Sequence, residues 1–575
     1  MSYASSPNFA HGFPTPGPQT PSAQQVMNHV FFLSEAEWKE AREQLRFDYI
    51  VIGSGFCALA FVERILRDRP DSAILVVERG SFFLPEHFQN LPLPYQSTLG
   101  GLSETFPWTL SARTAGQPAG GIQWQHGMVP FFGGRSIMWS AWCPRPTQDE
   151  MAHWPPQAIQ AAQRNFESAE RLLNVIPADR IDSHLSAGEQ AAMARKRPVY
   201  GVMQLALQEM LADNLGKIDS ATRSMAAPLA VGAGLTAGTD FTKFSAPAPL
   251  LELVQKQKTL ARKDPSRAKP LRIVSDCVVH RLIEQEGKVT ALDTTRGVVN
   301  VGDAKVILAM GTLPPATLLM NSFPANERIG RRFTAHFITS VVARVPRKDY
   351  PFSGQLNELE LAAIYMAGKN KQSGMQYHVQ LSVLSDRDPE KNAALAARYM
   401  PDVVATASPR QLQSSKDHLV FVCAVLGELD YRNTDNWLRR NGGGDPATNV
   451  TLQVLANATD RATWDTMDEA TFQMLERALS PEGRVEYWQD GVQGWSEERP
   501  GAQQRRVPGL VHEGSPLWMG DRDDSPVGLD YRPHGVHNVY VTGGGLWPAS
   551  GSWNPTMTMV ALTQDLAEGF LRSRT

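Results

Sequence analysis

Cysteine, long apolar runs and net charge are all scarce in this chain of 575 residues, and each shortage removes a class of protein. The four cysteines, Cys57, Cys143, Cys277 and Cys423, are scattered and contain no C-x-x-C pair, so neither a disulfide framework nor a zinc site is indicated. No apolar run approaches the roughly 18 residues that a membrane-spanning helix requires. The 56 Lys and Arg nearly balance the 59 Asp and Glu, with no basic stripe, which argues against nucleic acid or a membrane surface as partner. The opening MSYASSPNFAHGFPTPGPQTPSAQQ has neither a charged start nor an apolar core, so it is not a secretory signal and the expected compartment is the cytoplasm. On that reading the N-x-T sequons at Asn449 and Asn457 are chance matches.

What the chain does have is a compact motif from Phe47 to Gly80. Tyr49-Ile50-Val51-Ile52 suits a strand buried on both faces of a parallel sheet. Gly53-Ser54-Gly55-Phe56-Cys57-Ala58 follows as G-x-G-x-x-A, the dinucleotide fingerprint. Gly53 makes the turn, Gly55 admits a pyrophosphate, and Ala58 lets the next helix pack close. Leu59, Val62, Ile65 and Leu66 recur at helical spacing, and the strand Ala73–Val77 ends at Glu78. An acid there is placed to bind a ribose hydroxyl, and its charge, next to Arg79-Gly80, favours FAD over a 2′-phosphorylated dinucleotide.

Elsewhere, Ser34 and Glu37 form a capping box that opens a short helix, and Gly133-Gly134-Arg135-Ser136 supplies backbone donors without bulk. Helical spacing recurs at 157–175 and 201–215, strands are expected around the Glu286-Gly287 turn, and Lys305–Met310 is a strand ending in Gly311. From His336 to Val507 spaced strands without βαβ alternation (Phe337–Val345, Tyr377–Leu384, His418–Leu426, Thr451–Leu455) predict an antiparallel sheet, with a helix over Asp465–Leu479. The tail offers the strand Val539–Val541, the turn Gly543-Gly544-Gly545, and an amphipathic helix after Asn554-Pro555.

Together these motifs resemble the glucose–methanol–choline (GMC) oxidoreductase superfamily, FAD enzymes that oxidise alcohols. The resemblance runs through the fingerprint, the Gly-Gly-x-Ser loop, the strand near Val279, VILAMGTLPPATLL, IGRRFTAH and the tail. His512 to Gly520 is similar to the family pattern H-x-x-G-T-x-x-M-G, with Ser515 and Pro516 replacing Gly-Thr, and GSWNPTMT puts Asn554 at the second catalytic position. The tail is closest to the pyranose oxidase and cholesterol oxidase side. The resemblance implies an α/β fold in which a discontinuous Rossmann-like FAD-binding domain carries an inserted antiparallel-sheet substrate domain. The expected layout is a disordered lead over 1–28, FAD-binding domain over 29–335, substrate-binding domain over 336–507, and return to the FAD-binding domain over 508–575. It implies cofactor contacts from Gly53, Gly55, Ala58, Glu78, Arg79, Gly133, Gly134, Ser136, Val279, Gly311, Gly544 and Pro555. Met138 stands where pyranose oxidases carry the flavin-linking histidine, so FAD is expected to be non-covalent.

In this reading a neutral His512 takes the proton of an alcohol while Asn554 orients its oxygen, and a hydride passes to FAD. The expected partners are a small-molecule alcohol and dioxygen or another electron acceptor. The alternative is a flavin-fold lyase, cyclase or isomerase that uses His512 for acid–base chemistry alone. Asn554 could instead be a plain helix cap. Trp553 is expected to line the pocket and to favour a flat or apolar substrate. His336, His378, His534 and His537 read as structural, and Cys57 as an inert core thiol.

Overall fold

The computed structural model describes residues 22–90, 113–114, 122, 127–183, 198–232, 242–401, 407–521 and 524–573. Most of the expected disordered lead, and His126 ahead of the glycine loop, lie outside the described residues. Within that lead a helix, Ala23–Val30, already opens at a Ser22/Gln25 capping box. The capping box read at Ser34 is also formed and begins the helix Glu35–Glu43.

The fingerprint strand Tyr49–Ile52 is buried along its whole length and lies in the middle of a five-stranded parallel sheet. Strands follow one another across that sheet as Val539–Val541, Lys305–Leu308, Tyr49–Ile52, Ile74–Val77 and Arg272–Val274. Burial on both faces explains their unbroken Val/Ile/Leu content. The helix Phe56–Asp68 starts directly after Gly55, and the C-terminal helix Thr556–Arg572 packs on it and on the helix Pro156–Leu173. Glu286 and Gly287, at φ +52° and +80°, turn the hairpin Val279–Gln285 and Lys288–Thr294 as the sequence suggests.

The second sheet is antiparallel. Its long strands Thr334–Pro346, His418–Glu428, Gln376–Asp386 and Leu359–Lys369 lie side by side, and the helix Ala458–Gln473 packs against it. It draws on more of the chain than 336–507. The strand Ala221–Ala226 pairs with Leu359–Lys369 at one edge, and Arg506–Gly514 pairs with Thr334–Pro346. The expected boundaries at 335/336 and 507/508 therefore fall inside two strands of this antiparallel sheet, which pair with each other. Both sequon asparagines are tied down, Asn449 donating to Asn321 (3.0 Å) and Asn457 capping its helix while donating to Asp430 (3.1 Å).

Candidate active site

A cavity of about 250 Å³ opens where the ends of the parallel strands meet the antiparallel sheet. Gly53, Gly55, Glu78, Arg79, Gly134, Val279, Gly311, His512, Asn554 and Pro555 line it, so most residues singled out from sequence converge there. Gly53 sits at φ +102°, and a Cβ on it would lie 2.4 Å from the Ala309 carbonyl oxygen, so only glycine fits. Gly55 differs: a Cβ there would meet nothing nearer than the Gly133 carbonyl at 3.7 Å, and its bareness keeps the cavity floor open. A Cβ on Gly134 would in turn approach Gly55 Cα at 4.0 Å, which places the two glycine motifs face to face.

Hydrogen bonds hold this floor. The Ser54 hydroxyl donates to Glu78 Oε2 (2.6 Å), and the Gly80 amide donates to Oε1 (2.7 Å). The Gly133 amide donates to Ser54 Oγ (2.9 Å), so Glu78 braces both glycine loops through one serine. Burial raises the Glu78 carboxyl above its usual range, against the opposing pull of these donors. Arg79 points to Asp445 (2.8 Å).

Four of the expected cofactor contacts, Ser136, Gly133, Ala58 and Gly544, are not among the residues that line the cavity. Ser136 donates to the Gly133 carbonyl (2.6 Å) and accepts from the Ala246 amide (2.9 Å), so it stiffens the loop and does not line the cavity. Gly133, Ala58 and Gly544 also lie behind the lining. Gly544 has a separate use, since a Cβ there would strike Thr312 Oγ1 at 2.7 Å and the Glu513 carbonyl at 2.9 Å. Its absence lets the turn carrying His512 close against the parallel-sheet part.

His512 leaves the ladder at a bulge: Thr334 pairs with Gly514 and His336 with Val511, so two residues of one strand face one of the other. His512 takes φ +57° and Ser515 φ +75°, conformations that cost non-glycine residues about 1–3 kcal/mol and persist only where neighbours enforce them. The enforcing contacts are Thr334 to Ser515 (2.6 Å between hydroxyls), Thr312 donating to the Glu513 carbonyl (3.0 Å), and the ion pair of Arg135 with Glu513 (2.7 Å).

Asn554 lies just ahead of the helix Thr556–Arg572, whose N-cap position, Pro555, receives no side-chain capping bond. The Asn554 Oδ1 is buried without a hydrogen-bond partner, and that argues against the cap reading. Trp553 corrects another expectation: it is fully buried, packed with Trp154 and Trp547 at ring distances of 6.0 and 5.8 Å, and absent from the cavity wall. Its bulk therefore carries no information about substrate shape.

Sequence reasoning reads His336 as structural and gives it no place beside His512. It is fully buried, and its Nδ1 lies 2.9 Å from Nδ1 of His512. His378 stands behind it at 6.2 Å between ring centroids. The His in IGRRFTAH was within the recognised segment, but nothing local pairs it with a residue so far along the chain. His534, 3.3 Å from Ser525 Oγ, keeps a structural setting, and Cys57 is buried with its thiol pushed up by desolvation. Among the described residues no cluster of His, Cys, Asp or Glu could hold a metal ion, and no helix is long and apolar enough to cross a membrane.

The parallel sheet with its glycine floor, roofed by an antiparallel sheet that delivers a histidine, defines a mixed α/β protein with a cavity where the two sheets meet. Residues 434–563 match the model of the GMC oxidoreductase family, a span that includes both His512 and Asn554. Among solved structures, pyridoxine 4-oxidase from Mesorbium loti matches with a TM-score of 0.52 and 15% identity, over 92% of this chain and 99% of that one. No curated protein matches by sequence. The recognition and the fold class read from the sequence are borne out: the tail of the chain matches the GMC oxidoreductase family model, and the α/β fold is shared with the solved oxidase.

Proposed function

We propose that the protein is an FAD-dependent oxidoreductase that oxidises a CH–OH group of a small-molecule alcohol, with dioxygen or another acceptor as second substrate. The observation that carries this reading is the convergence of His512 and Asn554 on the same cavity as the glycine floor. The floor fits a dinucleotide: the bare Gly55 and Gly134 leave room for a pyrophosphate, and Glu78 stands at the strand end where a ribose would lie. Met138 packs against the cluster of Leu84, Phe88, Val129 and Ile137 and does not itself line the cavity, which supports non-covalent binding.

Bound FAD supplies the hydride acceptor. The chain's own residues do the rest. His512 takes the hydroxyl proton, and the bulge at φ +57° presents its ring to the cavity. Asn554 holds the same oxygen, its buried Oδ1 gaining the partner it lacks, and this orients the carbon to be oxidised. Arg135 and Glu513 hold the base and the glycine loop at a fixed separation.

The test is anaerobic screening of alcohols on the purified flavin-loaded protein. Bleaching of the flavin band by at least one alcohol, slowed in His512→Ala, is the expected result. Turnover of a substrate without bleaching would replace this reading with lyase, cyclase or isomerase chemistry. Acid precipitation should leave a colourless pellet, whereas a yellow pellet with a flavin-bearing peptide would refute non-covalent binding.

A further inference from the structure

His336 and His512 meet edge to face, ring planes at 85° and centroids 4.9 Å apart, with Nδ1 opposite Nδ1. Two imidazole nitrogens at 2.9 Å share one proton, so one ring donates and the other accepts. Were His336 the donor, neutral His512 would carry its own proton on Nε2 and could not take one there from a substrate. With His512 as donor, its Nε2 holds the lone pair.

The surroundings select the second arrangement. The backbone oxygens of Gly551 and Ser550 favour a proton on the His336 ring. Because Nδ1 is turned to His512, Nε2 is the place for that proton. It makes no full hydrogen bond there, so nearby dipoles set the preference. Burial keeps His336 neutral by pushing its pKa down to about 4, so it does not become a second cation against His512. The other charged or titratable neighbours are accounted for. Glu513, next in the strand, is turned to Arg135 (2.7 Å). His378 lies behind His336, and Glu428, opposite His336 in the strand register, accepts from the Gly551 (3.0 Å) and Gln376 (3.2 Å) amides.

We propose that His336 is a positioning residue that accepts Nδ1–H of His512 and fixes the tautomer in which Nε2 of His512 is the base. The proposal rests on the reading of His512 as base and extends it to a residue that need not touch substrate. When the alcohol O–H bond breaks, its proton bonds to Nε2 while Nδ1–H stays on His512, and the positive charge is stabilised by the neutral acceptor behind it.

The test uses diethyl pyrocarbonate, which acylates the imidazole nitrogen bearing the lone pair, on the flavin-loaded protein. Modification of His512, mapped by peptide mass spectrometry across about pH 5 to 9, gives the midpoint of its titration. His336→Leu removes the acceptor and should lower that midpoint by on the order of one pH unit. His336→Asn, whose Oδ1 stands near the place of Nδ1, should restore it. If His336→Leu fails to hold flavin or fold, His336→Phe keeps a ring without an acceptor and takes its place. An unchanged midpoint in the apolar variants, or an equal fall in His336→Asn, would overturn the proposal. Because the titration is read on His512 itself, it is separate from the fate of the base assignment, which stands or falls on flavin reduction by His512→Ala.

Discussion

Arg135 reaches Glu513 at 2.7 Å, and this one ion pair joins the glycine loop to the turn that carries His512. Glu513 is 4% exposed and Arg135 38%, so the two halves of the pair are unequal. Arg135→Ala leaves a buried carboxylate without its cation and should cost about 1–2 kcal/mol, a figure reduced for the open side of the guanidinium. Glu513→Gln leaves a half-exposed arginine that still donates to the Gly127 carbonyl (3.0 Å) and should cost less. The double variant should be less harmed than the sum of the two, as urea denaturation of all four proteins would show.

The two fingerprint glycines should separate into a folding position and a binding position. Gly53→Ala sets a Cβ 2.4 Å from a backbone oxygen at φ +102°, which should destabilise the protein by about 2–4 kcal/mol whether or not flavin is present. Gly55→Val has space in the fold but fills the cavity floor, so the flavin-free protein should melt normally and purify colourless. Melting curves and flavin content decide it; equal destabilisation by both substitutions would refute the distinction.

At the proposed catalytic pair, His512→Ala should slow flavin reduction roughly 10²–10⁴-fold with flavin retained. Asn554→Ala should slow it less and leave the melting temperature unchanged, because Asn554 makes no capping bond. In the proposed mechanism both act on one oxygen, so the double variant should be scarcely slower than His512→Ala. A fall of about 1 kcal/mol in stability with normal reduction kinetics would return Asn554 to the role of helix cap.

The buried ionisable groups behind His512 set opposing pH dependences. His336 titrates at about 4 in the fold against an ordinary value near 6.5, so its contribution to stability is complete above 6.5 and falls by about 3 kcal/mol as pH drops to 4. His378, also held well below its ordinary range by burial, acts in the same direction. Glu428, pushed up to about 7 by burial, binds its proton more tightly folded than unfolded, so it adds stability as pH falls from 7 towards 4.5. Glu428→Gln removes that compensation. Its melting temperature should therefore fall more steeply than the parent's between about pH 6.5 and 5; parallel curves would contradict the burial argument.

The features legible in the sequence are those formed by neighbours in the chain. Strand, glycine turn and helix from Tyr49 to Asp68 lie in one register and were readable without tertiary knowledge. His336 was not, because its partner lies 176 residues away and only the bulge between two strands brings them together. Trp553 was misplaced by adjacency: beside Asn554 in the chain, it faces the tryptophan core while Asn554 faces the cavity. Ser136 was assigned by motif, yet a hydroxyl in a glycine turn is readily consumed by the turn itself. The strand Ala221–Ala226 carries Thr, Arg and Ser at a sheet edge, and no apolar alternation announced it.

The edge strand Val539–Val541 completes the parallel sheet beside Lys305–Leu308, which in turn flanks Tyr49–Ile52, and the helix Thr556–Arg572 seals the helix that follows the fingerprint. During translation the first half of the nucleotide floor is therefore made hundreds of residues before the segments that finish it. A ribosome-bound chain emerging up to Gly520 would leave Lys305–Leu308 as an unpaired sheet edge, one strand from the one that ends at Gly53, with neither Gly543 nor Asn554 in place. The flavin loading proposed above would therefore follow completion of the tail, and chains stalled before the tail leave the Lys305–Leu308 edge open to aggregation.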